Sequence, residues 1–202
     1  MKVLITGFEP FNKEKINPSY EALKKLPEEI EGIKVVKAQV PTVFRKSIEE
    51  IERLIIRENP DIVICVGQAG GRSKITIERV AINIDDTNIP DNMGNKPEDE
   101  KIFEDGENAY FSNLPIKHMV ESIKKCNIPA DISNSAGTYV CNHTLYGLLY
   151  LINKKYPHIK GGFIHVPYAH EQVIEKKNVP SMSLDDIARA LYCAIKSLKV
   201  VL

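Results

Sequence analysis

Cys141 and His165 are the residues whose types and spacing could support nucleophilic catalysis. Cys141 follows a glycine-containing turn at the predicted start of a helix, where unpaired backbone N–H groups and the helix dipole favour negative charge. We expect both effects to lower the pKa of the thiol and to provide an oxyanion site. One helix and one strand fit between the two residues and would return the chain to the same sheet edge. A thiolate with a histidine as general base and acid is the chemistry of acyl transfer.

A third group is needed to orient the imidazole, and three carboxylates are candidates for it. Glu78 lies in a β-branched segment, where a buried carboxylate must be paired. Asp85 and Asp86 begin a polar loop further along the chain. The pattern of residues leaves all three open.

The remaining cysteines are Cys65, Cys126 and Cys193. None of the four cysteines forms a CxxC pair or has zinc-finger spacing. We therefore expect free thiols in a reducing compartment, with these three as ordinary core or surface thiols. For Cys193, in the last predicted helix, an interface or a disulfide between chains also remains open.

The elements that must position these residues alternate between strands and helices. Strands are predicted at 2–6, 33–40, 61–66, 74–84, 130–134 and 161–166. Helices are predicted at 17–26, 42–58, 115–126, 139–155 and 183–198, and 85–107 is predicted to be a long loop. This alternation predicts an α/β protein whose mostly parallel sheet is covered on both faces. In such sheets, ligands bind at the carboxyl ends of the strands.

Length and composition favour one soluble domain over residues 1–202, since a domain typically has roughly 100–200 residues. The 27 basic and 27 acidic residues balance, which argues against a nucleic-acid partner or a polybasic membrane anchor. There is no apolar stretch long enough to span a membrane, and the N-terminus lacks the features of a secretory signal. We therefore expect a cytoplasmic protein with no membrane partner.

The glycine-rich segment that begins at Gly67 raises the question of a nucleotide site. Its Gly-x-x-Gly-Gly spacing is not that of the dinucleotide-binding fingerprint, and the sequence contains no Walker A motif. It also contains no HExxH motif or clustered carboxylate and histidine ligands. We therefore expect neither an organic cofactor nor a metal.

Several segments of the chain resemble the pyroglutamyl peptidase I family, also called pyrrolidone-carboxylate peptidases. GQAGGRSKITIERVAIN at 67–83 is similar to the family's glutamate motif, SNSAGTYVCN at 133–142 to its cysteine motif, and FIHVPYA at 163–169 to its histidine motif. TGFEPF at 6–11 and NIPDN at 88–92 are also typical of the family. The order and spacing of these segments agree along nearly the whole chain.

The resemblance implies a triad of Glu78, Cys141 and His165, and so favours Glu78 over the two aspartates. It implies a three-layer α/β/α sandwich and a homo-oligomer, commonly a tetramer. The substrate would be a peptide with an N-terminal pyroglutamyl residue, released through a thioester intermediate.

The resemblance also implies that Phe8 and Phe11 sandwich the lactam ring, with Gln68 near it. A neutral lactam suits an apolar pocket, which would penalise the charged amine of an ordinary N-terminus. Two alternatives remain open on sequence alone: a cysteine hydrolase of another small acyl substrate, and a non-catalytic binding protein of this fold.

Overall fold

The structure is a computed structural model that describes the backbone of residues 1–201 and the side chains of residues 1–199. Its strands, in chain order, are β1 Lys2–Phe8, β2 Glu29–Ile30, β3 Ile33–Val40, β4 Ile62–Gln68, β5 Ile75–Glu78, β6 Val80–Ile82, β7 Ala109–Phe111, β8 Ala130–Ser133, β9 Lys160–Val166, β10 Tyr168–Ala169 and β11 Ser181–Met182. Its α-helices are α1 Pro18–Lys24, α2 Lys46–Glu58, α3 Ile116–Lys125, α4 Val140–Lys154 and α5 Leu184–Val201.

A seven-stranded sheet in the order β2-β3-β1-β4-β9-β5-β8 forms the middle layer. Its central strands β1, β4 and β9 are parallel and almost entirely buried, because helices cover both faces. One apolar core lies under α1, α3 and α5, and a second lies under α2 and α4. This arrangement confirms the predicted three-layer α/β/α sandwich. No helix within residues 1–201 is both long and apolar enough to cross a membrane.

Side-chain caps place two of the helices where the sequence predicts them. The side chain of Asn17 accepts a hydrogen bond from Ser19 N at 3.1 Å, directly before Pro18 at the first position of α1. Ser183 Oγ accepts from Asp186 N at 3.0 Å at the start of α5. Both caps satisfy backbone donors that have no partner within the helix.

The sheet differs from the prediction at its β5–β8 side. The strand predicted at 74–84 is interrupted at Arg79: β5 stays in the main sheet, whereas β6 pairs with β7 in a separate two-stranded sheet. Strands β5 and β8 are parallel to each other, but β5 runs antiparallel to β9, with Thr76 opposite His165. Strand β5 therefore begins beside the carboxyl end of β9 and runs back along it.

Cys126 and Cys193 form a disulfide that joins the end of α3 to α5. The prediction that all four cysteines are free thiols is therefore wrong for this pair, while Cys65 and Cys141 are free. The two sulfurs meet because α3 and α5 pack side by side over the same core, a proximity between distant segments that sequence spacing does not reveal.

Candidate active site

His165 and Glu78 form a buried hydrogen-bonded pair. His165 lies near the carboxyl end of β9, and Nδ1 of its ring is 2.7 Å from Oε1 of Glu78 at the end of β5. The side chains of His165 and Glu78 are 4% and 0% exposed. An ionised carboxylate only accepts hydrogen bonds, so Nδ1–H donates to Glu78 and the lone pair of the neutral ring lies at Nε2.

Arg72 supports the charge on Glu78. Its Nη1 donates to Glu78 Oε1 at 2.7 Å, and its Nη2 donates to the carbonyl oxygen of Ser135 at 3.0 Å. Burial opposes ionisation of Glu78, but hydrogen bonds from His165, Ser133 and Arg72 outweigh it and hold the pKa of Glu78 below its usual value. For His165, burial lowers the pKa and outweighs the opposing effect of Glu78. The resting pair therefore consists of a neutral imidazole and a carboxylate.

Cys141 lies in the first turn of α4, and its thiol is next to strand β4. A Cβ built on Gly67 would lie 2.9 Å from Cys141 Sγ, so the missing side chain of Gly67 makes room for the sulfur. Gly67 is the register partner of His165 on the neighbouring strand. The α4–β9 connection thus brings Cys141 back towards His165, as the spacing of the two residues predicted.

The start of α4 is suited to bind an anion. Within the described chain, no side chain caps this helix end: Tyr139 is the N-cap residue and makes no side-chain capping bond. The backbone N–H groups of the first turn point away from the helix and have no intrahelical acceptor. An oxyanion formed beside Cys141 could accept from them.

The prediction that the pKa of the Cys141 thiol is low is wrong. Burial raises the pKa of Cys141 to about 12, and the nearby carboxylate of Glu78 adds to the increase. At neutral pH the thiol is therefore protonated. A base must remove this proton as the sulfur attacks, and this requirement matches the neutral state of His165.

Aromatic side chains cluster beside the start of α4. Phe11 is partly exposed, and the centroid of its ring lies 5.9 Å from that of Tyr139. The ring of Tyr139 meets the ring of Phe44 edge-on, with 5.5 Å between the centroids. Phe8 is only 2% exposed and packs against Phe163 at 6.2 Å. The partly exposed aromatic surface beside Cys141 is thus formed by Phe11 and Tyr139, with Phe8 buried in the core.

Gln68 lies at the end of β4 and is held by Gln172, which ends the short 3-10 helix His170–Gln172. Gln172 Nε2 donates to Gln68 Oε1 at 2.8 Å and to Glu14 Oε2 at 3.2 Å. Since the oxygen of Gln68 is engaged, its amide NH₂ group remains to donate to a ligand.

The other carboxylates considered from sequence are used elsewhere. The carboxylate of Asp85 binds His143 at 2.6 Å, whereas Asp86 is exposed to solvent and lies outside the buried pair of Glu78 and His165. Sequence reasoning missed Arg72, Tyr139 and Gln172. Arg72 lies within the glutamate motif and Tyr139 within the cysteine motif, so both could have been found there. Gln172 follows the histidine motif, and no pattern of residues marks it as part of the site. Within residues 1–199, no three His, Cys, Asp or Glu side chains are grouped so as to hold a metal.

Comparison with known proteins gives concordant matches. The profile of the pyroglutamyl peptidase family matches residues 1–200. A pyrrolidone-carboxylate peptidase from Thermosipho melanesiensis is 74% identical over 97% of this chain and 97% of its own length. One from Clostridium botulinum is 61% identical over 98% of this chain and 92% of its own length.

Solved structures agree. The crystal structure of pyroglutamyl peptidase I from Bacillus amyloliquefaciens superimposes with a TM-score of 0.95 at 52% identity, covering 98% of this chain and 97% of that one. A mutant pyrrolidone carboxyl peptidase from Pyrococcus furiosus gives 0.95 at 46% identity and covers both chains completely.

These matches and the fold define a cysteine hydrolase that acts on peptide bonds and removes an N-terminal pyroglutamyl residue. The chain belongs to the pyroglutamyl peptidase family.

Proposed function

We propose that Cys141, His165 and Glu78 are the catalytic residues that remove the pyroglutamyl residue. The observation that supports this proposal best is the buried 2.7 Å pair of His165 and Glu78, which lies one strand from the glycine that accommodates Cys141 Sγ. The pair supplies a neutral base with a fixed tautomer, and the start of α4 supplies a nucleophile beside unpaired N–H groups.

In this mechanism, His165 Nε2 accepts the thiol proton as Cys141 Sγ attacks the carbonyl carbon between pyroglutamate and the next residue. The backbone N–H groups of α4 stabilise the oxyanion. The imidazolium, held by Glu78, then donates its proton to the leaving amine, which leaves a thioester. His165 next takes a proton from water, the hydroxide attacks the thioester, and the proton returns to Cys141 as pyroglutamate leaves.

We propose that the lactam ring packs against Phe11 and Tyr139, with Gln68 at its polar edge. Phe8 is almost completely buried and packs against Phe163, so in this proposal it supports Phe11 and Tyr139 and does not face the ligand. Apolar walls favour the neutral lactam over a charged α-amine, which would lose its hydration without gaining a partner. The site therefore selects N-terminal pyroglutamate by rejecting charge.

The test is release of a fluorophore from pyroglutamyl-aminomethylcoumarin, with prolyl and alanyl analogues, before and after iodoacetamide. We expect turnover of the pyroglutamyl compound alone, lost when Cys141 is alkylated. Thiol-dependent turnover of another acyl analogue only would favour a different cysteine hydrolase. Folded protein with no turnover and no selective labelling of Cys141 would favour a binding role.

We further propose that residues 1–202 act as one peptidase domain, that the chain assembles into a homo-oligomer as a tetramer, and that it works in the cytoplasm. A reducing compartment keeps a catalytic thiol free, whereas the Cys126–Cys193 disulfide favours an oxidising one. Light scattering of the purified protein tests the assembly. Fractionation of the source cells, with alkylation of free thiols before lysis, tests both the location and the state of the disulfide.

A further inference from the structure

A second buried histidine–carboxylate pair lies beside the site and has a different geometry. His143 Nδ1 is 2.6 Å from Asp85 Oδ2, and both residues are almost completely buried. The other ring nitrogen, Nε2, accepts from the backbone N–H of Arg45 at 2.7 Å. Since an amide N–H only donates, Nε2 carries no proton and Nδ1–H donates to Asp85. His143 is engaged at both nitrogens and cannot serve as a base.

The backbone that His143 holds is strained. Arg45 precedes α2 with φ 63° and ψ −49°, and Lys46 N donates to the carbonyl oxygen of Phe44 at 2.7 Å. These values define a γ-turn with positive φ at its centre, a rare and costly conformation for a residue with a side chain. Such a turn persists only where its surroundings impose it, and the hydrogen bond to His143 is a constraint of this kind.

The same turn carries Phe44, which packs behind the aromatic surface of Phe11 and Tyr139. Phe44 meets Tyr139 edge-on, and its N–H donates to Asp91 Oδ2 at 2.9 Å. Thr42, two residues earlier, donates through Oγ1 to the carbonyl oxygen of Glu9 at 2.9 Å. The turn at Arg45 therefore sets the position of Phe44 behind Tyr139, and the same segment is tied to the loop that carries Phe11.

We propose that Asp85 and His143 are positioning residues that hold the strained turn at Arg45 and thereby fix the aromatic wall of the lactam pocket. This inference rests on the proposed function for the identity of the ligand, but the hydrogen-bonded lock itself does not. His143 lies two residues after Cys141 on α4, so the lock joins the pocket wall to the helix that carries the nucleophile.

Two substitutions each keep one of the two hydrogen bonds of His143 and remove the other. In His143→Asn, the side-chain amide can still donate to Asp85 but does not reach Arg45. In His143→Gln, the side-chain oxygen occupies the place of Nε2 and can accept from Arg45. For pyroglutamyl-aminomethylcoumarin we expect His143→Asn to raise KM roughly tenfold, as for one lost hydrogen bond, with kcat within about twofold. We expect a smaller rise for His143→Gln, within about threefold, because it keeps the bond to Arg45 but loses the bond by which Asp85 orients the side chain.

A second-site change tests the strain directly. Arg45→Gly allows the positive φ without steric cost, so we expect adding Arg45→Gly to His143→Asn to bring KM most of the way back down to the parent value. Arg45 is exposed, and Arg45→Gly alone serves as the matched control. Equal KM values for the Asn and Gln variants, a fall in kcat at unchanged KM, or no rescue would overturn the proposal.

Amide hydrogen exchange over residues 42–46 gives a readout that requires no turnover. We expect faster exchange in His143→Asn than in the parent or in His143→Gln, at denaturant concentrations where all three are folded. Unchanged exchange would contradict the lock. If the parent protein turns over no pyroglutamyl substrate but His143→Asn still accelerates exchange, the proposed function fails and the lock stands.

Discussion

One oxygen of Glu78 serves two partners: His165 Nδ1 and Arg72 Nη1 both lie 2.7 Å from Oε1. Arg72 thereby keeps the carboxylate ionised, yet its positive charge also disfavours the imidazolium of His165. The charge of Glu78 stabilises the imidazolium that forms during attack. The three residues act as one electrostatic unit in which the carboxylate balances two cationic groups.

Neutralising this carboxylate should therefore slow the reaction strongly. Glu78→Gln preserves the shape but removes the charge and leaves Arg72 unbalanced beside His165. We expect kcat/KM to fall by about 10²–10⁴-fold, the range for loss of an orienting carboxylate. Steady-state kinetics provides the measurement, and Glu21→Gln, at a surface ion pair with Lys24, is the control. A fall of less than about threefold would remove Glu78 from the catalytic unit.

Removing the nucleophile should abolish turnover and leave the fold intact. For Cys141→Ala and Cys141→Ser we expect a loss of at least about 10³-fold, because neither side chain supplies a thiol for the acyl intermediate. Cys65→Ala is the matched control, since Cys65 is the other free cysteine and is completely buried. Circular dichroism and urea unfolding establish that each variant is folded. Unchanged turnover in either Cys141 variant would refute the assignment.

The dependence of kcat/KM on pH should indicate that the reactive form of the enzyme has a neutral thiol and a neutral imidazole. Burial lowers the pKa of His165 from its usual 6.5, so activity is lost only when the pH falls below that value and the base becomes protonated. Burial raises the pKa of Cys141 to about 12, so no alkaline loss should occur up to at least about pH 9. The measurement is kcat/KM against pH. A bell-shaped profile with an alkaline limb near pH 8 would instead indicate a preformed ion pair.

The sequence predicted the layers and most helix bounds because local periodicity and caps determine them. It predicted the approach of Cys141 to His165 because one helix and one strand must return the chain to the same edge. It did not predict that β5 runs antiparallel to β9, since the direction of a strand depends on its pairing with distant segments. The raised pKa of Cys141 was also missed: the helix start is visible in sequence, whereas the depth of burial is a tertiary property.

The disulfide should stabilise the protein without affecting catalysis. Cys126 and Cys193 close a loop with a sequence separation of 67 residues, and restriction of the unfolded chain contributes about 4 kcal/mol for a loop of this length. We expect Cys126→Ser, or reduction of the parent, to lower the free energy of unfolding by this amount, with kcat/KM unchanged because α3 and α5 lie on the face opposite α4. Urea unfolding with and without reductant provides the measurement.

The test of the Cys126–Cys193 disulfide also needs a control variant and a direct count of free thiols. Cys65→Ala should respond to reductant as the parent does, because its disulfide is retained. Mass analysis after alkylation in denaturant should find two free thiols in the oxidised parent and four after reduction. Four free thiols in protein that was never reduced would show that the cross-link does not form.

The absence of a side chain at Gly67 should be essential for activity. A Cβ there would lie 2.9 Å from Cys141 Sγ and 2.7 Å from Cζ of Phe163, so Gly67→Ala must displace the sulfur or the ring beside it. Because a misplacement of about 1 Å can cost about 100-fold in rate, we expect kcat to fall by at least that factor.

Gly32→Ala separates this local effect from a general loss of stability. Gly32 has φ 84° and no atom within 4 Å of an added Cβ, so the substitution strains the backbone by about 1–2 kcal/mol without touching the site. We expect Gly32→Ala to lower the urea midpoint and keep the parent kcat, and Gly67→Ala to lose kcat while still folded. Parent-like kcat in Gly67→Ala would mean that Cys141 Sγ does not need the space beside His165 that this glycine leaves open.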